Sequence, residues 1–202
     1  MESVNSRIGR LTAACLKAAV ACCLLVIATF APLPMVADSP ARAGAESVKA
    51  VMTSIILRSA QWPDNAFKDG SSAFHLGIIG RNPPVKEFNA AFKGITISGR
   101  TVTVVSLKNP ADIVGFQAVY FSETSEDVIV QTLALLAGRP VLSFGEHDAL
   151  YRLGGVVNYR KVDGKLRFEF NRKSMERSGV KVSAQVIRLA LPTKQPQEEA
   201  AE

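Results

Sequence analysis

Short apolar runs alternating with helix-patterned segments constrain the fold of this chain more than any other feature. The runs are Phe74-His75-Leu76-Gly77-Ile78-Ile79, then residues 101–107, 118–121 and 141–144. Strands this short and apolar need cover on both faces of their sheet, and the helices between them supply it. The order helix then strand, repeated along the chain, predicts an α/β fold: a three-layer sandwich with a mixed sheet containing parallel pairs. In the first helix, residues 46–61, Val48, Val51, Met52, Ile55 and Ile56 recur at spacings of three and four, with Lys49 and Arg58 between them. That is one apolar helical stripe, ended at Trp62-Pro63 because proline disfavours helical backbone in the residue before it. Residues 64–72 read as a loop, 85–92 as a short helix and 110–116 as a helical turn. Ser122-Glu123-Thr124-Ser125 sets hydroxyls ahead of an acidic first turn, which suits the unpaired amides and positive end of a helix over 126–137; Gly138 stops it.

The end of the chain reads differently. Residues 156–162 and 165–171 flank Asp163-Gly164, a two-residue turn whose positive backbone angles Asp and Gly tolerate. Counting outward from that turn pairs Arg160 with Arg167, Tyr159 with Phe168, Asn158 with Glu169 and Val157 with Phe170. Val157, Tyr159, Leu166, Phe168 and Phe170 fall on one face of this C-terminal antiparallel hairpin, and Asn158, Arg160, Arg167, Glu169 and Asn171 on the other. Asn171 is placed to cap a short helix to Ser178, stopped by Gly179, and residues 183–191 form a last amphipathic segment. The polar, increasingly acidic residues 192–202 read as a disordered tail.

Composition matters once the charges are placed. The 202 residues include 24 Lys+Arg and 18 Asp+Glu, a formal net charge of +6. Arg7, Arg10 and Lys17 precede an uncharged run from Ala18 to Ala31 that is rich in Ala, Val, Leu and Ile. The run has the length of a signal-peptide apolar region and falls short of the roughly 20 residues that a permanent bilayer crossing needs. Pro32 and Pro34 follow, and Ala41-Arg42-Ala43 offers the small-x-small pattern a signal peptidase accepts. Residues 1–43 are therefore expected to be a signal peptide cleaved after Ala43, with the domain over 44–191 released into the periplasm and no stable membrane insertion after cleavage. Without the leader the chain keeps 20 Lys+Arg and 16 Asp+Glu on 159 residues. That excess is too dilute to form a basic stripe along a row of phosphates, so nucleic acid is not an expected partner. Cys15, Cys22 and Cys23 all lie in the leader, which leaves the exported domain without a thiol. A domain of this size buries enough apolar surface to fold without disulfides.

Catalytic motifs fail one after another. Val141-Leu142-Ser143-Phe144-Gly145 lacks the first glycine of a nucleophile elbow, and His147 and Asp148 are not triad partners merely by adjacency. Gly77-Ile78-Ile79-Gly80 carries neither the dinucleotide fingerprint nor a Walker lysine. His75 and His147 have no second histidine at metal-ligand spacing, so no metal or cofactor is expected. The constellation that stands out is the polar face of the hairpin. Two guanidinium forks, a carboxylate and two amides suit a small zwitterion, an anion or a charged loop of a partner. Arg160 opposite Arg167 is a like-charge pair, which costs stability unless an anion or acidic side chain lies between them.

An ordered set of segments resembles the YfiR family of exported regulators. The set comprises Arg58-Ser59-Ala60-Gln61-Trp62-Pro63, Phe74 through Gly80, Gly138-Arg139-Pro140-Val141-Leu142, Gly154-Gly155-Val156-Val157-Asn158, Arg167-Phe168-Glu169-Phe170-Asn171 and Ser178 through Ser183 with Leu189-Ala190. The resemblance implies a periplasmic, non-catalytic α/β domain, a homodimer, that restrains an inner-membrane diguanylate cyclase and so lowers cyclic di-GMP and biofilm growth. It also implies release of the restraint by an outer-membrane OmpA-like lipoprotein. Asn158, Arg167, Glu169 and Asn171 match the two C-terminal motifs, and with Arg160 they are the expected ligand or partner contacts. Two departures stand out: familiar members carry cysteines in the mature domain, and they often place an acidic turn where this chain has Gly80-Arg81-Asn82-Pro83. Redox control is therefore not expected here. A periplasmic small-ligand-binding module that feeds a transporter or sensor kinase is the alternative reading of the same polar face.

Overall fold

The computed structural model describes residues 40–192. The expected leader up to residue 39 and the acidic tail from residue 193 lie outside those residues. Helix α1 (Pro40–Arg58) is followed by β1 (Ala60–Gln61), a 3-10 turn at Asp64–Ala66, β2 (Phe74–Gly80), α2 (Val85–Phe92), β3 (Thr96–Ile97) and β4 (Arg100–Leu107). A second 3-10 turn at Pro110–Ile113 leads to β5 (Ala118–Ser122), α3 (Glu126–Leu136), β6 (Leu142–Gly145) and α4 (Asp148–Arg152). The hairpin β7 (Val157–Val162) and β8 (Lys165–Phe170) comes next, then α5 (Arg172–Ser178), β9 (Lys181–Val182) and α6 (Ala184–Leu189).

The main sheet runs β3-β4-β2-β5-β6-β7-β8. Its centre, β4-β2-β5-β6-β7, is parallel, while β3 and β8 are antiparallel edges. Alternate side chains of a strand point to opposite faces, so the central strands feed two apolar layers. Leu76, Ile78, Tyr120, Leu142 and Phe144 pack with α1, α2 and α6. Ile79, Val119 and Phe121 pack with α3, α4 and the second 3-10 turn. This is the expected three-layer α/β sandwich with its C-terminal hairpin. Phe74, Phe88 and Phe144 are fully buried, each contributing roughly 1.5–3 kcal/mol through burial. The hairpin register matches the count from Asp163-Gly164, including Arg160 opposite Arg167 and Asn158 opposite Glu169. Asp163 has φ 51° and Gly164 φ 73°, as a primed turn requires.

Helix α1 departs from its sequence pattern. It starts at Pro40, so the expected cleavage point after Ala43 falls in its first turn, and it ends at Arg58 rather than 61 because Ala60 and Gln61 pair antiparallel with Val182 and Lys181. The apolar stripe is also split. Lys49, Ala50, Thr53, Ser54, Ile56 and Leu57 make the buried face, whereas Val48, Val51 and Ile55 are about half exposed at 50%, 48% and 50%. The helix turns a partly polar face inward because hydroxyl groups of the sheet, Tyr120 and Tyr159, meet it there.

One loop crossing depends on a missing side chain. Gly80 has φ 136°, and a Cβ there would lie 1.5 Å from the carbonyl oxygen of Ser122. The carboxyl ends of β2 and β5 pass this closely only with glycine at position 80.

Candidate site at the hairpin and the strand ends

The five residues expected to form the site do not share one environment. Asn158 and Glu169 are buried, at 4% and 8% exposure. The Asn158 Nδ2 donates to Glu169 Oε1 at 3.1 Å, and its Oδ1 accepts from the backbone N–H of His147 at 3.2 Å. Arg160 Nη1 lies 3.6 Å from Glu169 Oε2. Glu169 is thus the acidic group that eases the like-charge pair of Arg160 and Arg167, approaching it on the diagonal across the strands. Asn171 serves elsewhere: its Oδ1 accepts from Ser174 N–H at 3.1 Å as the cap of α5, and its Nδ2 donates to the Tyr151 carbonyl at 3.0 Å. The structure therefore joins Asn158, Glu169 and Arg160, leaves Arg167 exposed beside them, and commits Asn171 to a helix end.

The polar face is half covered because residues 145–153 fold back over it. This stretch contains α4, an element that the sequence pattern does not announce. His147 caps α4 by accepting the Ala149 N–H on Nδ1 at 3.1 Å. Ser143, the serine weighed against the nucleophile elbow, is buried, and its Oγ accepts the Val156 N–H at 2.9 Å.

Beside the hairpin, at the carboxyl ends of β5 and β6, lies a charged group that pattern reading missed. Lys49 is buried on α1 and pairs with Glu46 Oε1 at 2.7 Å and with the Glu146 carboxylate. The Tyr120 hydroxyl donates to Glu46 Oε2 at 3.0 Å, and the Tyr159 and Thr53 hydroxyls lie 2.7 Å apart. Burial works against the Lys49 ammonium, but the hydrogen bonds and charges of Glu146 and Glu46 outweigh it and hold its pKa above the ordinary lysine value. Burial, reinforced by the negative charge of Glu46, pushes the Tyr120 hydroxyl well above its ordinary value, and burial also pushes Tyr159 up. All three groups are held in their protonated forms at neutral pH. The one local signal was Glu46 three residues before Lys49, a helical ion-pair spacing.

Two open cavities adjoin this group. One, about 390 Å³, is lined by Arg42, Glu46, Lys49, Tyr120, Glu146 and Lys161 among others. The other, about 400 Å³, is lined by Glu146, His147, Asp148, Tyr159, Arg160 and Lys161. They share Glu146 and Lys161, so charges of both signs line one side of the domain. Such a lining holds a zwitterion or a charged loop by paired hydrogen bonds. Among the described residues no three His, Cys, Asp or Glu side chains gather at metal-holding distance.

No curated protein matches this chain. The model of a family described as YfiR/HmsC-like, however, matches residues 46–191, which is most of the chain and includes every strand of the main sheet and both strands of the hairpin. With that match spanning the sandwich and the charged strand ends alike, the chain belongs to the YfiR/HmsC-like family.

Proposed function

We propose that this protein is an exported, non-catalytic regulator that binds the periplasmic part of an inner-membrane diguanylate cyclase and restrains it, lowering cyclic di-GMP. Family membership supports the regulatory theme, and the apolar run at residues 18–31 supports export. No helix among the described residues is long and apolar enough to cross a membrane. Cleavage after Ala43 removes Arg42, whose partners include Glu123 at 3.0 Å and the Asn82 carbonyl at 3.1 Å. That ion pair is partly exposed, so its loss costs about 0–1 kcal/mol. An outer-membrane OmpA-like lipoprotein that captures the regulator releases the enzyme, and the regulator works as a homodimer.

The observation that carries the docking part of this reading is the outward stripe of α1. Val48, Val51 and Ile55 are half exposed along one helical row. Covering the remaining half of each is worth about 0.7–1.5 kcal/mol, together about 2–4 kcal/mol. A bias of that size shifts a two-state sensor by one to three orders of magnitude, yet stays reversible. The test is Val51→Glu with Ile55→Glu in the full chain. Cellular cyclic di-GMP rises while export and the urea midpoint stay as in the parent; unchanged cyclic di-GMP with the protein folded and exported refutes the docking face.

The two charged cavities that share Glu146 and Lys161 favour a second reading, a carrier of small zwitterions. On that reading an amino acid raises the melting temperature of the parent and not of Lys161→Glu.

A further inference from the structure

A groove to which α1 contributes no residue lies apart from the charged cavities. It has a volume of about 350 Å³ between α3 and α5, over the amino ends of β6 and β7. Val130, Leu133 and Ala134 of α3 form one wall, and Val141 and Val156 lie in its floor. Val130 is 46% exposed and Ala134 is exposed as well, while Val141 and Val156 are buried beneath them. Arg139 and Arg177 also line it. Arg177 Nη2 donates to Ser174 Oγ at 2.9 Å, and among the described residues neither arginine meets a carboxylate in an ion pair.

An apolar trough between two helices, with a guanidinium contributed from each side, has a recognisable complement. We infer that the groove docks an acidic amphipathic helix of another protein, whose aliphatic side chains at positions i, i+3 and i+4 enter the trough while carboxylates flanking them meet Arg139 and Arg177. Helix-in-groove recognition uses this spacing, and guanidinium forks hold carboxylates in two-pronged fashion. Charge complementarity selects the occupant: a basic helix with the same aliphatic row meets two uncompensated arginines. The inference does not rest on the diguanylate cyclase reading, because no residue of α1 lines the groove.

The experiment titrates the full chain with two fluorescent helical peptides that share one aliphatic row, one flanked by Glu and the other by Lys, and follows anisotropy at low and moderate salt. Saturable binding of the Glu peptide is expected, at least tenfold tighter than the Lys peptide and weakening with salt. Arg139→Glu with Arg177→Glu abolishes that preference, and Ala134→Trp, which fills the trough from an exposed position, weakens binding at least tenfold. Circular dichroism and thermal melting establish that both variants fold. Equal binding of the two peptides, no saturable binding, or indifference to Ala134→Trp in a folded variant overturns the inference. So does binding that emerges only after Glu198, Glu199 and Glu202 are changed to Gln, since the occupant is then the acidic tail of this chain.

Discussion

Replacing Lys49 with Met tests whether the charged group at the strand ends holds α1 on the sheet. The side chain keeps its length but loses the ammonium that lies between Glu46 and Glu146. The Lys49 and Glu46 side chains are 8% and 13% exposed, while that of Glu146 is 37% exposed. Removing one partner of a buried pair costs about 3–5 kcal/mol because the other charge is left uncompensated. Here Glu146 can rehydrate, which brings the expected loss to about 2–4 kcal/mol. Urea unfolding at pH 7 reads this directly. Glu46→Gln added to Lys49→Met recovers part of the loss at pH 7. A cost below about 0.5 kcal/mol, typical of surface changes, refutes the assignment of Lys49 to a buried ion-pair group.

Other consequences follow from the same geometry. Lys49 and Tyr120 both have folded pKa values raised above their ordinary values of 10.5 and 10.0; the stability they confer is complete below pH 10 and is lost as the pH rises beyond it, so the melting temperature falls on the alkaline side. Asn158→Ala, which strands buried Glu169 and the His147 N–H, lowers the urea-derived stability by about 1–3 kcal/mol. Arg167→Ala, on the exposed half of the same face, stays within about 0.5 kcal/mol, and equal effects contradict the split of that face. Gly80→Ala drives a Cβ into the Ser122 carbonyl at a backbone angle of 136° and costs more than about 3 kcal/mol, measured as a collapse of the melting temperature or failure to recover soluble protein.

The cleavage proposed above bears on the docking stripe. Arg42 ties the first turn of α1 to Glu123 and Asn82, whereas Val48, Val51 and Ile55 lie beyond the expected cleavage point. The proposed cleavage after Ala43 therefore leaves the stripe intact. The same proposed cleavage alters one charged cavity, because Arg42 is part of its lining.

Much of the architecture was legible in the chain because it is encoded in local periodicity. Strands β2, β5 and β6 announce themselves as short apolar runs, β4 as an alternating β-branched segment and α2 as a helical pattern over residues 85–92, and Asp163-Gly164 sets the hairpin register by turn geometry alone. The cap of α5 by Asn171 was legible for the same reason, since a cap and its amide are three residues apart. The motifs that resemble the YfiR family were also plain in the sequence, and the family match bears that resemblance out.

What the tertiary structure decided is which of two faces goes inward wherever local pattern favoured neither or favoured the wrong one. On α1 part of the apolar stripe faces out, because Tyr120 and Tyr159 come up from strands 74 and 106 residues away to meet Glu46 and Thr53. On the hairpin, alternation predicted a polar outer face, yet α4 folds over its inner half and turns Asn158 and Glu169 from contacts for a visitor into internal partners. Periodicity reports the partners a segment prefers within its own few turns. It carries no record of the hydroxyls, carboxylates and loops that chain reversal brings against that segment from far along the sequence, and the burial of charge depends on those.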